Sequence, residues 1–442
     1  MMFTDTIAAV STARGKGAVA IVRVSGTDAL TVLGRIMDRD VSSFAGYSVH
    51  YGMIVDEGET VDEVLVNVYR APKSFTGEDM VEIMCHGGVF VTNRVLGLCL
   101  SSGARMARNG EFTERAFLNG KMDLTQAEAI NDLVNARDSV NARSAVHTLK
   151  GSVRRILDPL IEDLTQILAQ IEANIDYPEY EDIEELTSEK VLPMTEEWLK
   201  QIDFLIRTAE QSIMIRSGID TVIIGKPNVG KSSLLNALLE EDKAIVTEIA
   251  GTTRDLVEGS VRIGNVTLNL IDTAGIHASA DRIEEMGIER SLRALEKAQL
   301  VLLVIDAERG MDEEDEALLA RTADKDRIII YNKTDRREIP DTLSVSALNG
   351  DLEDLRKAIE EKYADDLSAA EQDTFHNERQ LALARSARAS VQEALRSIQN
   401  GMETDLVTID LESAWNDLKE ITGEGGREVL LDEIFSRFCL GK

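Results

Sequence analysis

A glycine-rich string follows a short apolar run in the middle of the chain. The run is Thr221–Ile224, and the string Gly225–Ser232 reads GKPNVGKS before an apolar helical pattern begins. This strand–turn–helix context is that of a phosphate-binding loop, in which glycines let backbone N–H groups approach phosphate oxygens and the helix start favours negative charge. Lys231 would reach the β- and γ-phosphates, and Ser232 would ligate magnesium. The string therefore predicts a nucleotide site.

A second string lies where magnesium and the γ-phosphate would be sensed. Asp272–Gly275 (DTAG) ends the apolar strand pattern Val266–Ile271. Its aspartate would hold magnesium indirectly, and its glycine N–H would sense the γ-phosphate. Between the two strings, Gly251–Asp255 (GTTRD) has the position of a switch loop, from which Thr253 would supply a further magnesium ligand.

Two later strings would read the base. Asn332–Asp335 (NKTD) follows the apolar pattern Ile328–Tyr331. Its aspartate can accept two hydrogen bonds from guanine N1 and N2, which adenine cannot offer, so the string selects GTP over ATP. Ser346–Leu348 (SAL) follows Leu343–Val345 and would support the base from its other side. Four such strings in this order predict a P-loop GTPase and disfavour a scaffold with a vestigial nucleotide site.

The residues predicted to contact GTP lie in these strings or directly beside them. In chain order they are Asn228, Val229, Gly230, Lys231, Ser232, Ser233, Thr247, Glu248, Ile249, Ala250, Gly251, Thr252, Thr253, Asp272, Thr273, Ala274, Gly275, Asn332, Lys333, Asp335, Ser346, Ala347 and Leu348. Lys231 is also a predicted catalytic residue. Ile276 replaces the glutamine that orients the attacking water in Ras-like enzymes, so catalysis must be supplied differently. The polar loop downstream offers Asp281, Glu284 and Glu285.

Composition limits the remaining possibilities. With 442 residues, 43% of them hydrophobic, the chain is long enough for two or three domains. The net charge of −31 excludes a general basic surface for nucleic acid, so any such contact must be local. The three cysteines form no CxxC pair, which argues against a disulfide framework or zinc site. Because neither a secretory signal nor a membrane-spanning apolar stretch is visible, we expect a cytoplasmic protein that does not enter a membrane.

Three kinds of pattern follow one another along the chain. Residues 1–121 mix short β-rich runs with glycine turns, which indicates a small α+β domain. Helical spacing fills 122–215, including one long helix predicted from Leu149 to Ile171, and returns in 375–442. Between them, residues 218–370 alternate strand and helix signals. We expect a multidomain α/β protein whose discontinuous helical domain is interrupted by a Ras-like GTPase domain; two separate helical units are the alternative.

Several strings outside the nucleotide motifs point to one family. They are Thr6–Ala9 (TIAA), Arg23–Gly26 (RVSG), Ser74–Asp79 (SFTGED), His86–Gly88 (HGG), Gly110–Lys121 (GEFTERAFLNGK) and Cys439–Lys442 (CLGK). With them the chain closely resembles, over essentially its whole length, the tRNA-modifying GTPase family called MnmE or TrmE. The string from Gly110 is the most specific.

The resemblance implies that the N-terminal domain dimerises and binds a 5-formyltetrahydrofolate-type one-carbon donor. Arg23, Glu82 and Lys121 match the family's folate-binding positions, and Lys442 joins them from the C-terminus. A folate carries a glutamate tail and a pteridine edge like that of guanine, so cationic side chains could pair with its carboxylates while Glu82 accepts ring N–H donors. The spacing of these residues does not by itself predict a folate site.

In the GTPase domain, the resemblance assigns Asn228, Thr247, Ile249 and Thr252 to a potassium ion. It assigns Glu284 to positioning the hydrolytic water through a second water, which fits the missing glutamine. A monovalent cation beside the phosphates would compensate developing charge as an arginine finger does. The family hydrolyses GTP when its GTPase domains meet across the dimer.

The resemblance also implies partners. The family works in a heterotetramer with a flavoprotein of the MnmG or GidA type, and together they build 5-carboxymethylaminomethyl groups on the wobble uridine of tRNA. Gly15–Gly17 alone does not make a dinucleotide-binding fingerprint, so FAD is expected in the partner. Cys439 is a possible functional thiol near the folate or, equally, a small residue under the C-terminal tail.

The alternative class is a switch GTPase of ribosome assembly, like Era or Der. Der-like proteins need two GTPase domains, whereas the motifs occur once here. Era-like proteins add a KH domain with a Gly-x-x-Gly loop, which Gly423–Gly426 spells literally. Its middle residues are not basic and its flanks look helical, so we expect a helix end there.

Overall fold

The structure is a computed structural model that describes most of the chain. The described residues are 5–136, 138–176, 188–241, 257–271, 295–337, 339–340, 342–370, 372–400, 404–425, 431, 434–436 and 438–441. They divide into two compact units, the first Met1–Leu199 with Leu383–Lys442 and the second Lys200–Ala382. No helix in these described ranges has both the length and the apolar composition needed to cross a membrane.

The first unit begins with a six-stranded sheet. Its strands are β1 (Ile7–Val10), β2 (Val19–Ser25), β3 (Ser48–Asp56), β4 (Glu59–Tyr69), β5 (Met80–His86) and β6 (Arg105–Met106). The order is β3-β4-β5-β2-β1-β6, antiparallel except for the β1–β6 pair. Apolar residues alternate along the strands, and Val64, Val66 and Val68 of β4 all point into the core.

Three helices accompany this sheet. They are α1 (Ala29–Ile36), α2 (Val89–Ser101) and α3 (Glu111–Leu118). The apolar faces of α1 and α2 bury Leu33 and Val95 in the same core as the strands, while Phe112 of α3 packs with Ile7 and Ala9 of β1 in a second cluster. The sheet therefore has one face covered by α1 and α2, and part of the other covered by α3.

The helical segment follows directly. It contains α4 (Leu124–Asn135), α5 (Ser139–Leu149), α6 (Ser152–Asp176) and α7 (Ser188–Ser217). The predicted helix starting at Leu149 is in fact broken: α5 ends there, Gly151 has φ +81°, and α6 starts at Ser152. A left-handed glycine at this point ends the first helix before the next begins. Within α6, residues at spacings of three and four are buried, and the Leu160 carbonyl accepts from Trp198 Nε1 at 3.0 Å.

The second unit contains another six-stranded sheet. Its strands are β7 (Ile219–Ile224), β8 (Val257–Ile263), β9 (Val266–Ile271), β10 (Leu300–Asp306), β11 (Asp326–Asn332) and β12 (Ser344–Val345), in the order β12-β11-β10-β7-β9-β8. All pairs are parallel except β8–β9. Its helices are α8 (Lys231–Glu241), α9 (Glu313–Arg321), α10 (Glu353–Lys362) and α11 (Ala364–Ala370). Open parallel sheets bind ligands at the carboxyl ends of their strands, and the predicted strings follow β7, β9, β11 and β12.

Two helices close the chain. They are α12 (Glu378–Gln399) and α13 (Thr404–Thr422). Gly423 follows α13 with φ +89°, and the Glu424 N–H donates to the carbonyl of Lys419. Gly423 therefore ends the helix, as expected, whereas Gly426 lies outside the described residues.

Candidate functional site

The phosphate loop joins β7 to α8 and depends on two glycines. Gly225 has φ +151°, and a Cβ there would lie 2.4 Å from the carbonyl oxygen of Val304. Gly230 has φ +98°, and a Cβ there would lie 2.2 Å from Asn332 Nδ2. Neither position has space for a side chain, so the loop packs directly against the ends of β10 and β11.

Lys231 and Ser232 begin α8 directly after the loop. The Lys231 ammonium donates to the carbonyls of Gly225 and Lys226 at 2.8 and 2.7 Å, and burial lowers its pKa. The Ser232 hydroxyl has no hydrogen-bond partner among the described residues. A cation held by carbonyls that phosphate can replace, beside a free hydroxyl, fits a nucleotide with its magnesium ion.

Side chains from the end of β11 support the same loop. Asn332 donates from Nδ2 to the carbonyl of Val229 at 2.9 Å and accepts the Ala347 N–H at Oδ1 at 3.1 Å. Lys333 donates from Nζ to the carbonyl of Asn228 at 2.7 Å. Asn228 and Lys333 both have positive φ, +63° and +71°. The structure therefore brings the first, third and fourth predicted strings together at one sheet edge.

Asp306 belongs to this cluster, although the sequence analysis missed it. It ends β10, is nearly buried, and accepts from Lys333 Nζ at 2.6 Å. Burial alone would raise the pKa of Asp306, but the Lys333 ammonium holds it below its usual value. The signal in the sequence that could have identified Asp306 was its position at the end of the buried apolar strand β10, which lies beside β7 and its phosphate loop.

The residues predicted to read the base lie beyond Asn332. Asp335 is exposed, and its Oδ1 accepts from the Ser346 hydroxyl at 3.0 Å. The other carboxylate oxygen has no partner among the described residues, so it can accept a ligand's N–H donor. Ser346 and Ala347 are buried, whereas Leu348 is 77% exposed. This arrangement suits recognition of a guanine edge by Asp335.

Some predicted site residues lie outside the described residues. They are Thr247, Glu248, Ile249, Ala250, Gly251, Thr252, Thr253, Asp272, Thr273, Ala274, Gly275, Glu284 and Lys442, together with Ile276, Asp281 and Glu285.

A second polar cluster lies on the sheet of the first unit. Arg23 of β2 faces Glu82 of β5 in register, and its Nη2 donates to Glu82 Oε1 at 2.8 Å. The Arg23 guanidinium lies over the rings of Phe75 and Phe112, at 5.6 and 5.5 Å, and the Tyr69 hydroxyl lies 3.4 Å from Glu82 Oε2. These aromatic neighbours could not be predicted from the sequence, because strand register and loop packing bring them together.

The C-terminal tail reaches this cluster, but the Lys121 amine is engaged elsewhere. Arg23 Nη1 donates to the carbonyl of Gly441 at 3.3 Å. Lys121 Nζ donates to the carbonyl of Pro72 at 2.9 Å. Cys439, two residues before Gly441, is exposed, whereas Cys85 and Cys99 are buried. Burial raises the pKa of Cys99 to about 12, so Cys439 is the accessible thiol.

A parallel sheet that carries a phosphate loop, a supporting Asn-Lys pair and an exposed base-reading aspartate defines a P-loop GTPase. Comparison with known families narrows this class. Residues 6–121 match the family "GTP-binding protein TrmE N-terminus" and residues 124–439 match the "MnmE helical domain". The chain belongs to the MnmE family of tRNA modification GTPases.

Individual relatives agree with this assignment. The tRNA modification GTPases MnmE of Levilactobacillus brevis and Lactobacillus johnsonii are 45% and 46% identical, each over 99% of this chain and 98% of the relative. Among solved structures, Era bound to MgGDPNP and 16S ribosomal RNA nucleotides is 29% identical over 38% of this chain and 65% of that chain, with a TM-score of 0.26. That overlap is too small to say more about this chain.

Family membership confirms several expectations. The fold class is multidomain α/β with an N-terminal α+β domain, a helical domain and a Ras-like GTPase domain. The protein is a GTPase of tRNA modification. The family also favours this interpretation over the Era- or Der-like alternative.

Proposed function

We propose that the protein couples GTP hydrolysis to the building of a 5-carboxymethylaminomethyl group on the wobble uridine of tRNA, with a folate-borne one-carbon unit. The observation that carries this proposal is the Arg23–Glu82 pair, set between aromatic rings on a sheet that belongs to a different unit from the nucleotide site. A GTPase needs no such second cluster for nucleotide hydrolysis itself.

The donor set of the second cluster suits a folate. Glu82 has acceptor capacity left for the N–H donors of a pteridine edge, and Phe75 and Tyr69 offer aromatic contact. Arg23 would hold Glu82 at that edge, and Lys121 and Lys442 are the proposed cations for the carboxylates of the glutamate tail. When bound, a 5-formyltetrahydrofolate-type donor supplies the one-carbon unit, and these residues bind and orient it. Cys439 is the proposed functional thiol near the folate.

In the GTPase domain, residues 218–370, we assign the phosphate contacts to the loop 228–233, with Lys231 as a catalytic cation. Ser232 and Thr253 are the proposed magnesium ligands. Asn228, Thr247, Ile249 and Thr252 are the proposed potassium site, and Glu284 positions the attacking water. The left-handed backbone of Asn228, with φ +63°, is consistent with a loop shaped around an ion.

The assembly we propose is a homodimer through residues 1–121, joined by a flavoprotein of the MnmG type that carries FAD. An exposed apolar surface supports dimerisation: Val49 and Tyr51 of edge strand β3 and Leu65 opposite Tyr51 on β4 are 63%, 43% and 45% exposed. The helical domain, 122–215 and 375–442, completes the proposed division into domains. Since tRNA is its substrate, we place the protein in the cytoplasm.

Folate titration tests the second cluster. The Arg23→Ala variant should weaken binding of 5-formyltetrahydrofolate by at least about tenfold, because it removes a charged hydrogen-bond donor. The matched control is Arg35→Ala, since Arg35 is an exposed arginine of the same sheet domain whose guanidinium donates to the Ser102 carbonyl, away from the Arg23–Glu82 pair. GTP turnover should stay at the wild-type rate in both variants. Wild-type folate affinity in Arg23→Ala would rule out this site.

A further inference from the structure

Lys226, the second residue of the phosphate loop, has a side chain that points into an acidic helix start. Its Nζ lies 2.5 Å from Asp312 Oδ2 and 2.8 Å from Asp315 Oδ2, and only 11% of the side chain is exposed. Asp312 is the N-cap of α9 and Asp315 the third residue of that helix, and the two form a capping box. The phosphate loop is thus bonded to α9, a helix that follows β10 rather than the loop's own strand, β7.

The ion pair between Lys226 and Asp315 is tight because Asp315 has few other hydrogen-bond partners. Its side chain is fully buried, and Oδ1 has no hydrogen-bond partner in the described part of the chain. The negative charge of Asp315 is therefore balanced through Oδ2, which receives the Lys226 ammonium and the Asp312 N–H. A buried carboxylate needs such a partner, and a broken pair leaves an uncompensated charge.

The backbone of Lys226 connects this anchor to the nucleotide site. The Lys226 carbonyl accepts from Lys231 Nζ at 2.7 Å. On the other side of the loop, Lys333 joins the Asn228 carbonyl to Asp306. Asp306, Asp312 and Asp315 all belong to the segment that runs from the end of β10 into α9. That segment therefore holds the loop at two points, and Lys226 supplies one of them.

We propose that Lys226 is a positioning residue for GTP. Its ion pairs with Asp312 and Asp315 fix the backbone carbonyl that holds Lys231 and so set the shape in which the loop receives the phosphates. Lys226 itself contacts neither the base nor the reacting atoms. The loop serves phosphates that GTP and GDP share, so loss of the anchor weakens binding of both nucleotides alike and leaves the chemical step nearly untouched.

The test is a set of variants with GDP and GTP affinities, KM and kcat measured on the full chain. Lys226→Met should raise the Kd of both nucleotides and the KM for GTP about tenfold, while kcat falls less than about threefold. Because this variant leaves Asp315 unpaired, the double variant Lys226→Met/Asp315→Asn removes both buried charges and should keep the fold, as circular dichroism will show. It should show the same loss of affinity.

Two further variants separate positioning from a general structural effect. Lys226→Arg retains the cation and should bring the Kd within about threefold of wild type. Lys362→Met breaks a more exposed Lys–Asp pair of the same unit, with Asp326 at 2.9 Å, and should leave the Kd unchanged. Wild-type affinity in the folded double variant, no recovery in Lys226→Arg, or equal loss in Lys362→Met would each overturn the proposal.

Discussion

Selection of the nucleotide is proposed to depend on an individual residue of this protein, Asp335. Asp335 is exposed, shares one carboxylate oxygen with the Ser346 hydroxyl, and keeps the other for a ligand. Two hydrogen bonds from guanine N1 and N2 would be charge-assisted, and adenine offers neither donor in that geometry. The selectivity for GTP is therefore expected to rest on one carboxylate.

Substitution of this carboxylate changes the expected base preference. Asp335→Asn offers an amide in place of one acceptor, so affinity for GTP should fall about a hundredfold, whereas affinity for XTP should rise because xanthine presents a carbonyl at position 2. Competition binding with both nucleotides measures the change. Asp326→Asn, at the opposite end of β11, makes the same chemical substitution and should alter neither affinity. Unchanged GTP affinity in Asp335→Asn would remove this residue from base recognition.

At the residue scale, the local strings could be predicted because each is continuous in sequence and lies at a strand end. Gly230, Asn332 and Ala347 meet through hydrogen bonds and close packing, as the order of the strings predicts. The partners of Lys226 and Lys333 could not be predicted. Asp306 and Asp315 are more than 20 residues from them in sequence, and only the sheet order brings them to the loop.

Among the elements, α3 carries a network of ion pairs beside the sheet of the first unit. Its Glu111 and Arg115 are fully buried and bonded to each other at 3.1 Å. Arg115 also reaches Glu78 at 3.2 Å, and Arg105 donates to Glu111 at 2.6 Å. Glu78 in turn accepts from the Ser25 hydroxyl. The helix thereby holds the loop whose Phe75 lies beneath Arg23.

This network gives the first unit a predictable acid sensitivity. Burial alone would raise the pKa of Glu111, but hydrogen bonds from Arg105, the Arg108 N–H and Arg115 hold it below its usual value. A depressed folded-state pKa contributes stability that is complete above the unfolded-state pKa and disappears as pH falls through the folded-state pKa. The free energy of unfolding should therefore decline as the pH drops below about 4.5.

The Glu111→Gln variant tests this contribution. It should lose about 3 kcal/mol of unfolding free energy at pH 7, because it leaves the buried Arg115 without this carboxylate, and its decline with acid should be shallower. Urea titrations followed by tryptophan fluorescence isolate the unit, since both tryptophans, Trp198 and Trp415, belong to it. Glu393→Gln, in an exposed pair with Arg396, should cost almost nothing. Equal pH profiles for wild type and Glu111→Gln would contradict the assignment.

Element boundaries show what periodicity can and cannot give. The predicted strand Val266–Ile271 coincides with β9. The helix predicted from Leu149 to Ile171 was wrong at its start. Apolar residues continue at spacings of three and four through Gly151, although the backbone there is left-handed. The ion-pair network of α3 could not be predicted either. The Gly110 string indicates a family, but it does not show which carboxylates its arginines contact.

On the scale of the whole molecule, the nucleotide site and the Arg23–Glu82 cluster lie in different units of one chain. The second unit is inserted in sequence between the two parts of the first. The net charge of −31 leaves no general basic surface for tRNA, so RNA contact is expected from a local patch or from the proposed partner. GTP hydrolysis in one unit would then serve chemistry at the other.

Nucleoside mass spectrometry of tRNA tests that account most directly. The full chain would be incubated with unmodified tRNA, an MnmG-type flavoprotein, an amine donor and 5-formyltetrahydrofolate, with either GTP or a non-hydrolysable GTP analogue, in potassium and in sodium salts. We predict that the aminomethyl-type modification of wobble uridine accumulates with GTP in potassium and falls sharply with the analogue or in sodium. Equal modification with the analogue, or none while GTP is hydrolysed in potassium, would contradict the proposed coupling.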